Sequence, residues 1–197
     1  LPDGKTVFTG TYMEKNQWIQ VLRFFADQIN AEPAKLIEYS KQLADRIGKQ
    51  NSLTQIVQPL SDSLFQGYFQ GFFSNLDLVH GGQKGSPKFP LPVQYEFLLN
   101  YYQNFKQPKA LEAVTNTLDN LIQGGIHDWL EGGFARYATD DRWLMPHFEK
   151  MLYDNAQLTS LYAHAFQVTR KEEYKKITRS TLDFINRKLK APAGGYY

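Results

Sequence analysis

The chain has 197 residues, a formal charge of +2 and no cysteine. That length holds one sizeable core or parts of two domains, and the missing cysteines exclude disulfides, thiolate metal sites and thiol nucleophiles among these residues. The scattered, near-neutral charge gives no footing for nucleic acid, and no apolar run is long enough for a membrane span.

Pro2-Asp3-Gly4-Lys5 is a turn sequence, and Thr6 to Met13 after it predict a small β-hairpin over residues 5–13. Asn16 is a candidate N-cap for a helix over 17–30, with Trp18, Val21, Leu22, Phe25 and Ile29 on one face. Pro33 opens a second helix, striped by Leu36, Ile37, Leu43, Ala44 and Ile47. The polar run from Gly48 to Ser52 reads as a linker. A third helix is expected over 54–74, kinked or starting late because of Pro59. Residues 77–90 are too rich in glycine and proline for regular structure, and a loop of that length is a functional candidate. Helices over 92–105 and 108–123 form an αα-hairpin turning at Gln107-Pro108, with Gly124-Gly125 as a C-terminal cap.

The stretch from Gly132 to Asn155 concentrates the unusual residues. Proline lacks an N–H and fixes φ near the helical value, so Pro146 is expected to start a helix that runs to about 169. A last helix follows over 171–189. On that reading His147 and Glu149 occupy a first turn at the positive end of the helix dipole, and Asp154 lies two turns down the same face. Phe148, Met151, Leu152, Leu158, Leu161 and Tyr162 follow helical spacing and are assigned to the core. Structural readings stand beside these. Glu149 can simply complement the helix end, Lys150 and Asp154 can form a surface i,i+4 pair, and a single histidine can be a packing residue.

Gly-Gly pairs at 81–82, 124–125, 132–133 and 194–195 alternate with helical segments. Repeated hairpins with matching loops predict a helical array whose long loops gather on one face. The expected fold is therefore mainly α, an array of helical hairpins with a small β remnant at its N-terminus.

The runs Gly124-Gly125-Ile126-His127-Asp128, Gly133-Phe134-Ala135-Arg136-Tyr137 and Pro146-His147-Phe148-Glu149-Lys150-Met151-Leu152-Tyr153-Asp154-Asn155 resemble the signature of a family. These are the two-part thioredoxin-like proteins that include a spermatogenesis-associated thioredoxin-domain protein and bacterial relatives. Ser86-Pro87-Lys88-Phe89-Pro90 is similar to that family's Ala-Pro-Lys-Phe-Pro element, and the segments at 2–5 and 10–12 to the last hairpin of its thioredoxin-like domain. Glu131 stands where the pattern usually has glycine. The resemblance implies a thioredoxin fold followed by an (α/α) toroid similar to N-acylglucosamine 2-epimerases and six-hairpin glycosidases, so that the fold expected here is a partial (α/α)6 toroid of helical hairpins with a small β remnant of the thioredoxin-like domain. It places 1–30 in the tail of the thioredoxin-like domain, 31–52 in a connecting helix and linker, and 53–197 in the first part of the toroid. The family's Cys-x-x-Cys would then lie upstream, so the chain reads as a fragment.

By that resemblance the expected function is binding or conversion of a carbohydrate-like ligand, with acid/base proton transfer as the chemistry such a conversion needs. Candidate catalytic residues are His147 as base, Arg136 opposite a developing oxyanion, Glu149, Asp154 and Asp128. Candidate ligand-binding residues are His127, Trp143, Tyr137, Phe134, Lys88, Asp141, Tyr153 and Asn155. Glycoside hydrolysis, using two of Asp128, Asp141, Glu149 and Asp154, and a non-catalytic binding toroid are the alternatives. No cofactor is called for, and with no two histidines close in sequence no metal either. Expected partners are a carbohydrate-like small molecule and the remainder of the same protein or a second copy, with cytoplasmic placement. Phe166, Ile177, Leu182 and Ile185 are the apolar residues expected to face such a packing partner.

Overall fold

The structure is a computed structural model that describes residues 1–51 and 60–197. It divides into two compact units, Leu1–Pro59 and Leu60–Tyr197. Among the described residues it is helical, with isolated bridges in place of a sheet.

In the first unit, α1 (Lys15–Ala31) packs on α2 (Pro33–Asn51). Glu14 and Gln17 form a reciprocal capping box at the start of α1, satisfying donors that a helix N-terminus otherwise leaves free. The hairpin expected over 5–13 is absent: these residues form turns and irregular chain, with Phe8 against Phe25 at 6.0 Å. A two-stranded hairpin is marginal by itself in water, and no third strand is available to it here. Gly48 to Asn51, read as linker, continue α2. The expected kink at Pro59 falls outside the described residues.

The second unit holds α3 (Asp62–Phe73), α4 (Pro92–Phe105), α5 (Pro108–Gln123), α6 (Leu152–Thr169) and α7 (Glu172–Phe184), which continues as a π-turn over Ile185–Leu189. Ser61 caps α3 through its hydroxyl, and Pro92 and Pro108 sit in the first turns of α4 and α5, where a missing N–H costs nothing. Hairpins α4–α5 and α6–α7 pack through α4 and α6. The core comes from the apolar stripes the sequence announces, such as Leu98 and Leu99, Val114, Leu118 and Leu121, and Leu158, Leu161 and Tyr162. The buried Tyr162 hydroxyl donates to the Leu118 carbonyl, and Tyr174 of α7 donates to Asp119 of α5. Of the four residues expected at an open edge, Ile177 and Ile185 are buried and Phe166 half-buried; only Leu182 is exposed.

The helix expected at Pro146 begins at Leu152 instead. The preceding residues turn back on the chain: Arg136 donates its N–H to Glu149 O, His147 to Tyr137 O and Thr139 to Met145 O. Backbone bonds to a neighbouring segment thus override proline's helical preference. His147 and Glu149 lie in extended chain and lose the helix dipole assigned to them, while Asp154 moves into the first turn of α6. Phe148, assigned to the core on helical spacing, is 94% exposed. Gly124 departs from expectation too. Its φ of −77° is not a left-handed cap; a Cβ there would lie 2.6 Å from the Trp143 carbonyl, so close approach is what requires glycine.

Candidate functional site

Three loop segments distant in sequence meet at Ala138. Lys88 and Ala138 exchange backbone hydrogen bonds of 2.9 Å, and Ala138 also bridges to Pro146. This pairing stacks Phe89, Tyr137 and His147: the Phe89 and Tyr137 rings are 4.8 Å apart, and Tyr137 and His147 4.6 Å. Both spacings suit stacked aromatic rings. The convergence expected of the long loops is present.

Beside the stack lies a charged cluster. Glu149 Oε1 is 3.2 Å from Arg136 Nη1 and 3.5 Å from His147 Nδ1, so one carboxylate serves a cation and an imidazole together. Arg136 also lies over the exposed Tyr153 ring, at 5.9 Å. Asp154 is half-buried; burial pushes its pKa up, Arg136 works against that, and the Glu149 charge adds to it. Its Oδ2 has no hydrogen-bond partner among the described residues. Four of the five proposed catalytic residues, Arg136, His147, Glu149 and Asp154, thus form one neighbourhood on partly exposed chain.

Half of the proposed ligand-binding residues, Lys88, Trp143, Phe134 and Asn155, are built into the support instead. Lys88 is 2% exposed, with its ammonium on Asp77 Oδ2 at 2.7 Å and on the Gly81 carbonyl at 2.8 Å. Burial raises the Asp77 pKa, yet hydrogen bonds from Lys88, His80 and Val79 outweigh it and hold the carboxyl well below the usual range. Trp143 is fully buried at a left-handed φ of 65°, donating Nε1–H to the His80 carbonyl. It therefore presents no face on which a sugar could stack. Phe134 is buried against Tyr162, and Asn155 clamps it, accepting its N–H at 2.7 Å and donating to its carbonyl at 3.0 Å. Asp141 is exposed, 3.9 Å from Arg142; the neighbouring Asp140 holds the turn through the N–H groups of Arg142, Leu144 and Met145.

Asp128 and His127 belong to another place. Asp128 pairs with Lys150 at 2.6 Å and accepts the N–H groups of Leu130 and Glu131, which takes its pKa down to about 2. His127 is 4% exposed, and burial pushes its pKa down to about 4 despite the nearby Asp128 charge. A histidine depressed in this way contributes stability in full above its unfolded value of about 6.5, and loses it as pH falls from there towards the folded value. In a pH titration followed by NMR, His127 is expected to stay neutral down to about pH 5; a midpoint near the ordinary histidine value would show that the ring is solvated.

The sequence reading missed Phe89, the outer ring of the stack, and Asp77, the partner of Lys88. Phe89 stood between two prolines in a motif already noticed, which is signal enough to include it. Asp77 precedes Lys88 by a looping interval that no periodicity marks.

The chain is 32% identical over 184 residues to spermatogenesis-associated protein 20 of Rattus norvegicus, a match covering 90% of this chain and 23% of that relative. Its homologues are spermatogenesis-associated protein 20 proteins, of the thioredoxin-domain family. The chain thus spans about a quarter of the length of that family member. No family model matches. Among solved structures, cellobiose 2-epimerase from Spirochaeta thermophila superposes with a TM-score of 0.59 at 22% identity, over 68% of this chain and 38% of that one. The GH76 alpha-mannanase of Bacteroides thetaiotaomicron superposes with a TM-score of 0.52 at 17% identity, over 65% and 38%. At these identities the likeness establishes the fold. The chain carries part of an α/α toroid, and none of its described helices is long and apolar enough to cross a membrane.

Proposed function

We propose that the toroid binds a carbohydrate-like ligand beside the Phe89–Tyr137–His147 stack and moves a proton on the carbon next to its carbonyl. The observation that carries this reading is the sharing of Glu149 between His147 and Arg136. A carboxylate at Nδ1 orients an imidazole and favours the tautomer whose Nε2 lone pair can accept a proton. Neither His147 nitrogen makes a hydrogen bond among the described residues; Nδ1 lies 3.5 Å from Glu149 Oε1, a separation a bound ligand would need to tighten. In the proposed step Nε2 takes the proton from the carbon, and the electron pair moves into an enolate whose oxygen faces Arg136. Asp154, its pKa raised, returns a proton to that carbon. The toroid shared with a cellobiose 2-epimerase supports the ligand class. In this reading residues 1–30 end a thioredoxin-like domain, 31–52 connect, and 53–197 begin the toroid. The greater length of the relatives supports packing against further chain of the same protein or a second copy.

Incubation with cellobiose in D2O is expected to place deuterium at C2 of the reducing sugar, read by mass spectrometry. His147→Ala is expected to slow exchange by roughly 10²-fold or more, the usual worth of a positioned base. No exchange above the protein-free rate, with a folded protein, would overturn the proton-transfer reading. A second reading, glycoside hydrolysis, has one observation in its favour: Asp154, with a raised pKa, lies near the carboxylate of Glu149, a pairing of the kind used for acid and nucleophile or base. Release of reducing ends from an alpha-mannan would select it.

A further inference from the structure

His127 has no role in that proton transfer, and its surroundings are unusual. Both ring nitrogens are buried and neither has a hydrogen-bond partner among the described residues. Neutral imidazole always carries one donor and one acceptor, so both capacities go unused, against the strong tendency of buried polar groups to be paired. The ring sits at the wall of a pocket of about 460 Å³, between the 127–132 turn and the α7 side that carries Ser180, Asp183, Asn186 and Arg187. Its outer cover is Trp129, edge-on to it at 4.6 Å, although that indole is 64% exposed. Arg136, His147 and Glu149 are not among the pocket's lining residues.

We propose that this pocket is a second ligand site, in which Trp129 swings aside and His127 hydrogen-bonds a neutral polyhydroxyl molecule packed against the indole. The chemistry selects the class. A hydroxyl both donates and accepts, so it can pair with either nitrogen of a neutral ring in either tautomer. A carboxylate only accepts and an ammonium only donates, so each suits one nitrogen of one tautomer alone. The wall does not favour an ion of either sign: Glu131 and Asp183 stand among Lys176 and Arg187, and Asp128 is already taken by Lys150. Trp129 supplies the apolar surface that the carbon skeleton of a polyol needs. The site does not depend on the proton transfer proposed above.

The test is NMR of the histidine ring nitrogens and the Trp129 indole of the whole 197-residue protein. The probe is methyl β-D-glucopyranoside, a polyol that cannot open to a carbonyl and so cannot undergo that chemistry. Saturable shifts of His127 and Trp129 together are expected, and His127→Phe is expected to weaken binding by roughly tenfold, about one hydrogen bond to a buried group. The wild-type His127 signals decide the matter if that variant fails to fold. Unmoved His127 signals at large excess overturn the proposal, as do signals that answer only to inorganic phosphate or nicotinamide. Shifts at His147 with none at His127 overturn this site and leave the proton-transfer reading standing; deuterium exchange that fails while His127 responds does the reverse.

Discussion

Trp143→Ala is expected to lower unfolding free energy by about 3–5 kcal/mol, the usual cost of emptying a large buried aromatic site. The indole is the part on which several segments lean. It donates to the His80 carbonyl, lies 5.6 Å from the Lys88 ammonium, and fills the space beside Gly82. At Gly82, φ is +76° and a Cβ would run into the indole, so Gly82 cannot take a side chain while the indole is in place. Its own φ of 65° adds local strain that the substitution does not relieve, because alanine also disfavours the left-handed region. Urea unfolding followed by far-UV circular dichroism measures the loss. A change under about 1 kcal/mol would mean that the cavity collapses readily, contrary to the dense packing around it.

Lys88→Met is the second large effect. Removing one member of a buried ion pair leaves the other charge uncompensated, which costs about 3–5 kcal/mol. Asp77 keeps its bonds from the His80 and Val79 N–H groups, which places the expectation at the lower end. The pH dependence gives the sharper check. A carboxyl whose folded pKa is depressed contributes its stability above the unfolded value near 4 and loses it as pH falls below that. The gap between wild type and Lys88→Met should therefore be full at neutral pH and narrow as pH drops below about 4. A gap that is constant with pH would locate the loss in Lys88's packing rather than in its charge.

The helices were legible because each carries an apolar stripe at its own period and most are opened by a proline or a polar cap. The boundary at residue 146 was not. The same proline that suits a first helical turn also suits irregular chain, and the choice was made by backbone bonds to residues six to thirteen positions upstream. That single shift removed the dipole argument for His147 and exposed Phe148, although it left His147, Glu149 and Arg136 together. The motif was read as chemistry, but half of it is masonry. Trp143, Asn155 and Lys88 look reactive in a string of letters; burial and their partners, which no spacing encodes, decide otherwise. His127 is the converse case, a residue whose interest lies in bonds it does not make.

Ala138 bears on timing. Its pairings join chain near residue 88, the segment at 136–139 and the strand-like run at 145–149, and most of these links span loops rather than neighbouring turns of helix. The pairings between 136–139 and 145–149 close short loops and can form without the rest of the unit, whereas the link from Ala138 to Lys88 spans a far longer interval and must meet its loop-closure entropy first. Docking of α4 on α6 brings those distant ends within reach, so the Phe89 face of the ring stack waits on the helices while the Tyr137–His147 face does not.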